Sequence, residues 1–177
     1  EFIVGLRYTK ADLAYYTKGK QLPLLLQSNI SSALISVLFP GMSKLNDAQE
    51  KVRALSRQSV RMLSYILFPL MIGMATVARP LTIVLYTEKW IAIVPYIWIV
   101  CAQAVLSIPG TIALQSVKAV GRSDMMLKAE FIKKPILLIS IFAALPFGVF
   151  AVALTLPFNS LIELIINGIM AKKTIHY

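Results

Sequence analysis

Four stretches of this chain run without charge, or nearly so, for lengths that a water-soluble fold of this size has no means to cover. Residues 21–43 lie between Lys20 and Lys44, 62–78 between Arg61 and Arg79, and 90–117 between Lys89 and Lys118. The fourth runs from Pro135 to Ala171 and is interrupted only by Glu163. A helix needs about 20 mostly apolar residues to cross a hydrocarbon core roughly 30 Å thick. The first three stretches fit one crossing each, and the fourth fits two. Burial inside a soluble α protein is the competing reading. Such a domain would carry roughly a quarter of its residues charged, whereas here 15% are charged and 58% hydrophobic, with a mean hydropathy of +0.74. Too little polar sequence remains to coat that core. The expectation is an all-α integral membrane protein with about five transmembrane helices, near residues 22–42, 60–79, 91–117, 126–145 and 149–171. The last two are separated by LPFG at 145–148, where Pro146 and Gly148 force a tight turn. Prolines 69, 95, 109 and 157 fall inside spans, which transmembrane helices tolerate.

The net charge of +10 does not point to nucleic acid. The basic residues sit between apolar runs, without interleaved aromatics or a groove-reading motif. In a membrane protein such charge reports orientation instead. With five crossings, one side receives Arg7, Lys10, Lys18, Lys20, Arg79 and Lys89, six in all. The other receives the remaining twelve: Lys44, Lys51, Arg53, Arg57, Arg61, Lys118, Arg122, Lys128, Lys133, Lys134, Lys172 and Lys173. The positive-inside rule makes the second side cytoplasmic. The residue 1 end is then expected outside and the residue 177 end inside. The chain begins at Glu1 rather than Met, so a preceding segment is expected.

The most basic connection, 43–61, has its own pattern. Asp47 and Glu50 form a candidate capping pair for a helix starting near Ala48. Val52, Leu55 and Met62 give that helix an apolar side suited to lying along lipid headgroups. Arg53, Arg57 and Arg61 recur every four residues on another side. Topology and contact with anionic lipid account for them at about 1 kcal/mol per charge; guidance of a phosphate-bearing substrate is the sharper reading.

Polar side chains at membrane depth tend to face a bundle interior or a wet cavity. The third span carries Gln103, Ser107, Thr111 and Gln115 four residues apart, then Lys118. The fifth repeats the pattern with Thr155, Asn159, Glu163 and Asn167. Either stripe suits a cavity wall or hydrogen bonds between helices. In the first span, Gln27, Asn29 and serines 28, 31, 32, 36 and 43 favour interhelical bonding and close packing. Arg79, ahead of Pro80, reads equally as a snorkelling anchor or a charge at a cavity mouth. No catalytic constellation is present: His176 is the single histidine, Cys101 the single cysteine, and no glycine-rich phosphate loop occurs. No enzyme activity, cofactor or metal is expected.

Specific residues then carry a resemblance. The runs YTKADLAYYTKGKQLPLLLQSNISSALISVLFPGMSKLND, FPLMIGMATVARPLTIVLYTEKW and SVKAVGRSDMMLK resemble bacterial polysaccharide (O-antigen type) flippases of the multidrug/oligosaccharidyl-lipid/polysaccharide exporter superfamily. The matching positions include Tyr16 with Leu22-Pro23, Phe39-Pro40 with Ser43, Phe68-Pro69, Ala78 with Pro80, Glu88-Lys89-Trp90, and Gly121-Arg122 with Asp124. The resemblance implies one lobe of a two-lobe, MATE-like transporter. Residues 1–177 would be a partial C-terminal lobe holding spans eight to twelve, in the orientation that the charges give independently. The implied activity is transport of an undecaprenyl-pyrophosphate-linked oligosaccharide across the bacterial inner membrane by alternating access. The implied partners are the lipid-linked oligosaccharide, membrane lipids, the first lobe of the same transporter, and a polysaccharide polymerase and glycosyltransferases. Candidate residues along the substrate path are Arg57, Arg61, Arg79, Gln103, Thr111, Gln115, Lys118, Asn159 and Glu163. Two other readings compete: a drug/cation antiporter of the same superfamily, which would call for more acids than Glu163, and a non-transporting subunit of a polysaccharide-assembly complex.

The orientation is testable with Cys101→Ser as background. Ser43→Cys and Ser123→Cys should react with an impermeant maleimide only from the cytoplasmic side, and Thr87→Cys only from outside; outside labelling at 43 or 123 would overturn the five-span order.

Overall fold

A computed structural model describes residues 8–43 and 49–175, without the side chains of Phe39, Met42, Ser43, Gln49, Ser123, Thr174 and Ile175. Six α-helices account for most of it: α1 (Lys10–Ser43), α2 (Gln49–Thr76), α3 (Ala78–Tyr86), α4 (Val94–Ala119), α5 (Ser123–Ala144) and α6 (Val149–Ile175). Short 3₁₀ turns at Glu88–Ile93 and Leu145–Phe147 lead into α4 and join α5 to α6. No strand occurs among the described residues. Four segments are long and apolar enough to cross a membrane: Lys10–Leu38, Glu50–Thr76, Glu88–Ala119 and Val149–Lys173. The protein is therefore a multi-pass, all-α membrane protein. The helix expected near 126–145 forms as α5, but Lys128, Glu130, Lys133 and Lys134 fill its first half, which leaves an uncharged stretch too short to meet the same measure.

The long helices alternate in direction. At one end of the bundle, the Tyr8 hydroxyl donates to the carbonyl of Leu145. At the other, Ser56 and Ser116 share a hydrogen bond of 2.5 Å. The chain thus passes from the Tyr8 end to the Ser56 end and back, as the charge count requires.

Helix α4 is the hub. Half of its most apolar window is buried, against 6% of the corresponding window in α1. Leu63, Leu67 and Met71 of α2 meet Ile97, Cys101, Ala104 and Ile108 of α4, with Leu26, Ile30 and Leu34 of α1 packed alongside. Lipid tails are as apolar as leucine, so close backbones and hydrogen bonds hold such a bundle rather than escape from water. Glycines supply two of the close approaches. A Cβ on Gly110 would stand 3.2 Å from the Cα of Leu164 in α6, and one on Gly19 would stand 2.5 Å from the Cβ of Tyr96. Asn167 of α6 donates from Nδ2 to the carbonyl of Gly110 at 3.1 Å, at the same crossing.

Several expected boundaries move. The first crossing starts at Lys10, not near Leu22, because Thr9 and Asp12 cap it. The Asp12 N–H donates to the Thr9 hydroxyl oxygen at 3.2 Å, and that hydroxyl donates to the Asp12 carboxylate at 2.7 Å. Pro23 therefore lies inside the helix, where it is buried. The basic segment is not a separate helix along the headgroups. From Gln49 it is continuous with the second crossing, and its expected apolar side is used up within the bundle: Val52 is fully buried, and Leu55 packs beside Ile112 and Ala119. Met62 faces out, 46% exposed. The proposed cap at Asp47 and Ala48 lies outside the described residues. The second crossing ends early, at Thr76, because Pro80 has no N–H to offer the Thr76 carbonyl. Chain direction changes at Val77, and Arg79 falls in the separate helix α3. The Trp98 indole N–H takes up the Ala75 carbonyl at 2.9 Å, tying α4 to the end of α2. The LPFG turn forms where expected, with Gly148 at a φ of 102°.

The α4–α6 crossing predicts an asymmetry between glycines. Gly110→Leu would push into the α6 backbone and should cost about 1–3 kcal/mol, read as a lower melting temperature in detergent. Nothing lies within 4 Å of a Cβ on Gly73, so Gly73→Leu should leave that temperature unchanged.

Candidate functional site

The uncharged polar residues of α1 and α4 meet in one groove. It holds about 540 Å³ and is lined by Gln21, Gln27, Ser28 and Ser31 of α1 and by Gln103 and Thr111 of α4, with Leu24 and Leu25. Gln27 fixes the seam by donating from Nε2 to the Ser107 hydroxyl at 2.7 Å. The Ser107 hydroxyl in turn lies 2.8 Å from the carbonyl of Ala104, and Thr111 donates to the carbonyl of Ser107. Gln27 is thus the interhelical bond expected of the first span. The other polar residues there do not follow that expectation. Ser28, Asn29, Ser32 and Ser36 are exposed, and Ser28 and Ser36 hydrogen-bond only back to their own helix, at Leu25 and Ala33. Their spacing of three to four residues places them, with Gln21, on one side of α1. An uncharged band of amides and hydroxyls facing outward at membrane depth is unsuited to lipid. It suits a watery path or another polar protein surface. Gln115, the next member of the α4 stripe, is half-buried and lines none of the grooves described here.

The stripe of α6 faces elsewhere, so the two stripes share no cavity. Asn159 and Glu163 line a groove of about 310 Å³ against Glu130, Lys133, Lys134 and Leu137 of α5. Asn159 donates from Nδ2 to the Thr155 carbonyl at 2.7 Å and to the Ser140 hydroxyl at 3.0 Å. Lys133, only 8% exposed, pairs with Glu130 at 2.6 Å. Glu163 is therefore not the lone acid of the spans: Glu130 lies beside it, and two lysines balance both. Their signal in the sequence was the three-residue step from Glu130 to Lys133, which brings opposite charges to one helix face.

The basic candidates gather at the Ser56 end. The Ser56–Ser116 bond sets the first turns of α2 beside the last turns of α4, so Arg57 and Lys118 occupy the same end of the bundle. Arg57 and Arg61 are exposed and Lys118 half-buried. The Nε of Arg53 is buried with no hydrogen-bond partner among the described residues. Arg79 stands apart at the opposite end, exposed on α3. That end also collects aromatic rings of the kind found at membrane–water boundaries. Trp90 packs edge-on to Tyr15 at 5.7 Å, and Lys18 and Lys20 lie over Tyr86 and Tyr16.

The model of one protein family, described as "Polysaccharide biosynthesis protein", matches residues 1–95, more than half of the chain. The chain belongs to this polysaccharide biosynthesis family. An uncharacterized membrane protein in the cps region of Klebsiella pneumoniae is 27% identical over 106 residues, which is 60% of this chain and 22% of that protein. Lipopolysaccharide biosynthesis protein WzxC of Escherichia coli (strain K12) is 26% identical over 104 residues, 59% of this chain and 21% of that protein. The aligned part of this family member thus spans about a fifth of the length of these relatives. No solved structure matches it.

If Gln27 serves the helix seam, it should couple energetically to Ser107. A double-mutant cycle of Gln27→Ala and Ser107→Ala, read by stability in detergent micelles, is expected to give about 0.6 kcal/mol, as for typical hydrogen bonds between transmembrane helices. Zero coupling would free Gln27 for the groove.

Proposed function

We propose that this chain is part of a transporter that carries a polyprenyl-pyrophosphate-linked oligosaccharide across the bacterial inner membrane, with the Ser56 end in the cytoplasm. The observation that carries the reading is the division of labour along α1, α2 and α4. An uncharged groove of amides and hydroxyls runs between α1 and α4, and arginines with Lys118 gather at one end of it. Sugar hydroxyls exchange hydrogen bonds with water for hydrogen bonds with such amides at little cost, and no fixed charge holds them in place. A pyrophosphate, by contrast, needs cations where it enters. Membership in a polysaccharide biosynthesis family and likeness to a lipopolysaccharide biosynthesis protein support the same substrate class. The exposed polar band of α1 supports a facing first lobe, with the path between the two.

A drug/cation antiporter gains little from this geometry, because the acids at Glu130 and Glu163 lie among Lys133 and Lys134 rather than open to a cation. The cytoplasmic placement, the first lobe and the assembly partners (polymerase, glycosyltransferases) belong to the proposal as a whole.

Arginine offers a planar fork to two phosphate oxygens, whereas lysine is a point charge. Arg57→Lys, Arg61→Lys and Lys118→Gln are therefore expected to lower surface polysaccharide while protein level and orientation stay as in the parent. Full export from all three variants would leave the basic end as a topology signal. Glu163→Gln, remote from that end, should spare export.

A further inference from the structure

The seam between α2 and α4 forms a track that the polar groove does not explain. On α2, Arg61, Ser64, Tyr65, Phe68 and Pro69 line a cavity of about 590 Å³. A second, of about 410 Å³, continues from Phe68 past Ile72 and Ala75 to Trp98 and Ala102 of α4. The two share Phe68. Positions 61, 65, 68, 72 and 75 recur at steps of three and four, so a single row of α2 side chains forms one wall. From Arg61 to Ala75 the track runs about 21 Å at the α-helical rise. It is apolar along its length and open sideways, with Tyr65 84% exposed and Ile72 60% exposed. The bond from Trp98 to the Ala75 carbonyl closes its far end. At its near end Arg61 is exposed, and Arg57 stands one turn further along the same row.

We infer that this seam holds the polyprenyl tail of the lipid-linked substrate, with its pyrophosphate at Arg57 and Arg61. The inference rests on the transport reading above and adds where the tail lies. Charge separates this occupant from ordinary phospholipid. A phosphodiester carries one negative charge, whereas a pyrophosphate offers several oxygens to two arginines four residues apart, which lie about 5–6 Å from each other on a helix surface. The track is one row wide and so takes one chain, not the pair that a phospholipid brings. A tail held here runs along the outside of the bundle in contact with lipid, while the sugars lie on the α1–α4 side. The substrate would then straddle α2 and α4.

The test reconstitutes the protein in phosphatidylcholine vesicles containing undecaprenyl pyrophosphate. A photoreactive benzophenone side chain replaces Phe68, or, as the comparison, Phe131 of α5, which is 78% exposed and outside the track. The expected result is an undecaprenyl pyrophosphate adduct, by mass spectrometry, at least about tenfold more abundant at 68 than at 131. Arg61→Gln should lower that adduct about tenfold, the loss of one charge-assisted hydrogen bond, and Arg61→Lys should lower it less. Equal adducts at the two positions, an adduct insensitive to Arg61→Gln, or equal capture of phosphatidylglycerol in its place would overturn the track while leaving the transport reading intact. A crosslink from 68 to protein would do the same, by showing that another helix covers the seam. Failure to retain undecaprenyl pyrophosphate anywhere would overturn both.

Discussion

Helix α4 is gripped from three sides, and the rest of the bundle follows from that grip. In lipid there is little to gain from hiding leucine against leucine, so specificity comes from backbones that can touch and polar groups that find each other. Gly110 lets α6 approach and Asn167 locks it there. Ser116 meets Ser56 of α2, and Ser107 meets Gln27 of α1. Each of the three contacts lies at a different height or on a different side of α4, so together they fix its rotation. Once that rotation is set, Gln103 and Thr111 have only one place to point.

The same rotation sorts chemistry by direction. Uncharged amides and hydroxyls look toward α1, paired charges lie between α5 and α6, and the apolar row of α2 opens to lipid. A transporter of amphipathic lipids must keep head and tail in different solvents throughout the passage. Here the two solvents are separated by the thickness of one helix.

Much of the fold was legible in the sequence because charge is so costly in lipid that its absence draws the spans. The uncharged runs located the crossings, and Pro146 with Gly148 located the tight turn. The ends of helices were harder. Thr9 and Asp12 extend α1 well past its apolar part, since a capped helix continues through water as readily as through lipid. The basic segment misled for a related reason: Val52 and Leu55 signal an apolar face but do not say whether lipid or α4 will cover it. The polar stripes were legible as stripes. Which stripe faces which helix depends on the rotation of α4, and the spacing of residues within one helix carries no information about its neighbour.

The four charges in the first half of α5 bear on how the protein is made. A lysine near the centre of a helix costs roughly 2.5–3.5 kcal/mol when a segment is offered to the membrane alone, and α5 presents Lys133 and Lys134 close to its middle. The groove that shelters them is half built from α6, through Asn159 and Glu163. Only the 145–148 turn separates the two helices, so α6 leaves the ribosome immediately after α5. The physical consequence is insertion as a hairpin, with α5 waiting at the translocon for the segment that neutralises it. An insertion assay of α5 with and without α6 would read this directly, and equal insertion in the two cases would refute it. The groove of paired charges then matters first during biosynthesis, before any substrate is moved.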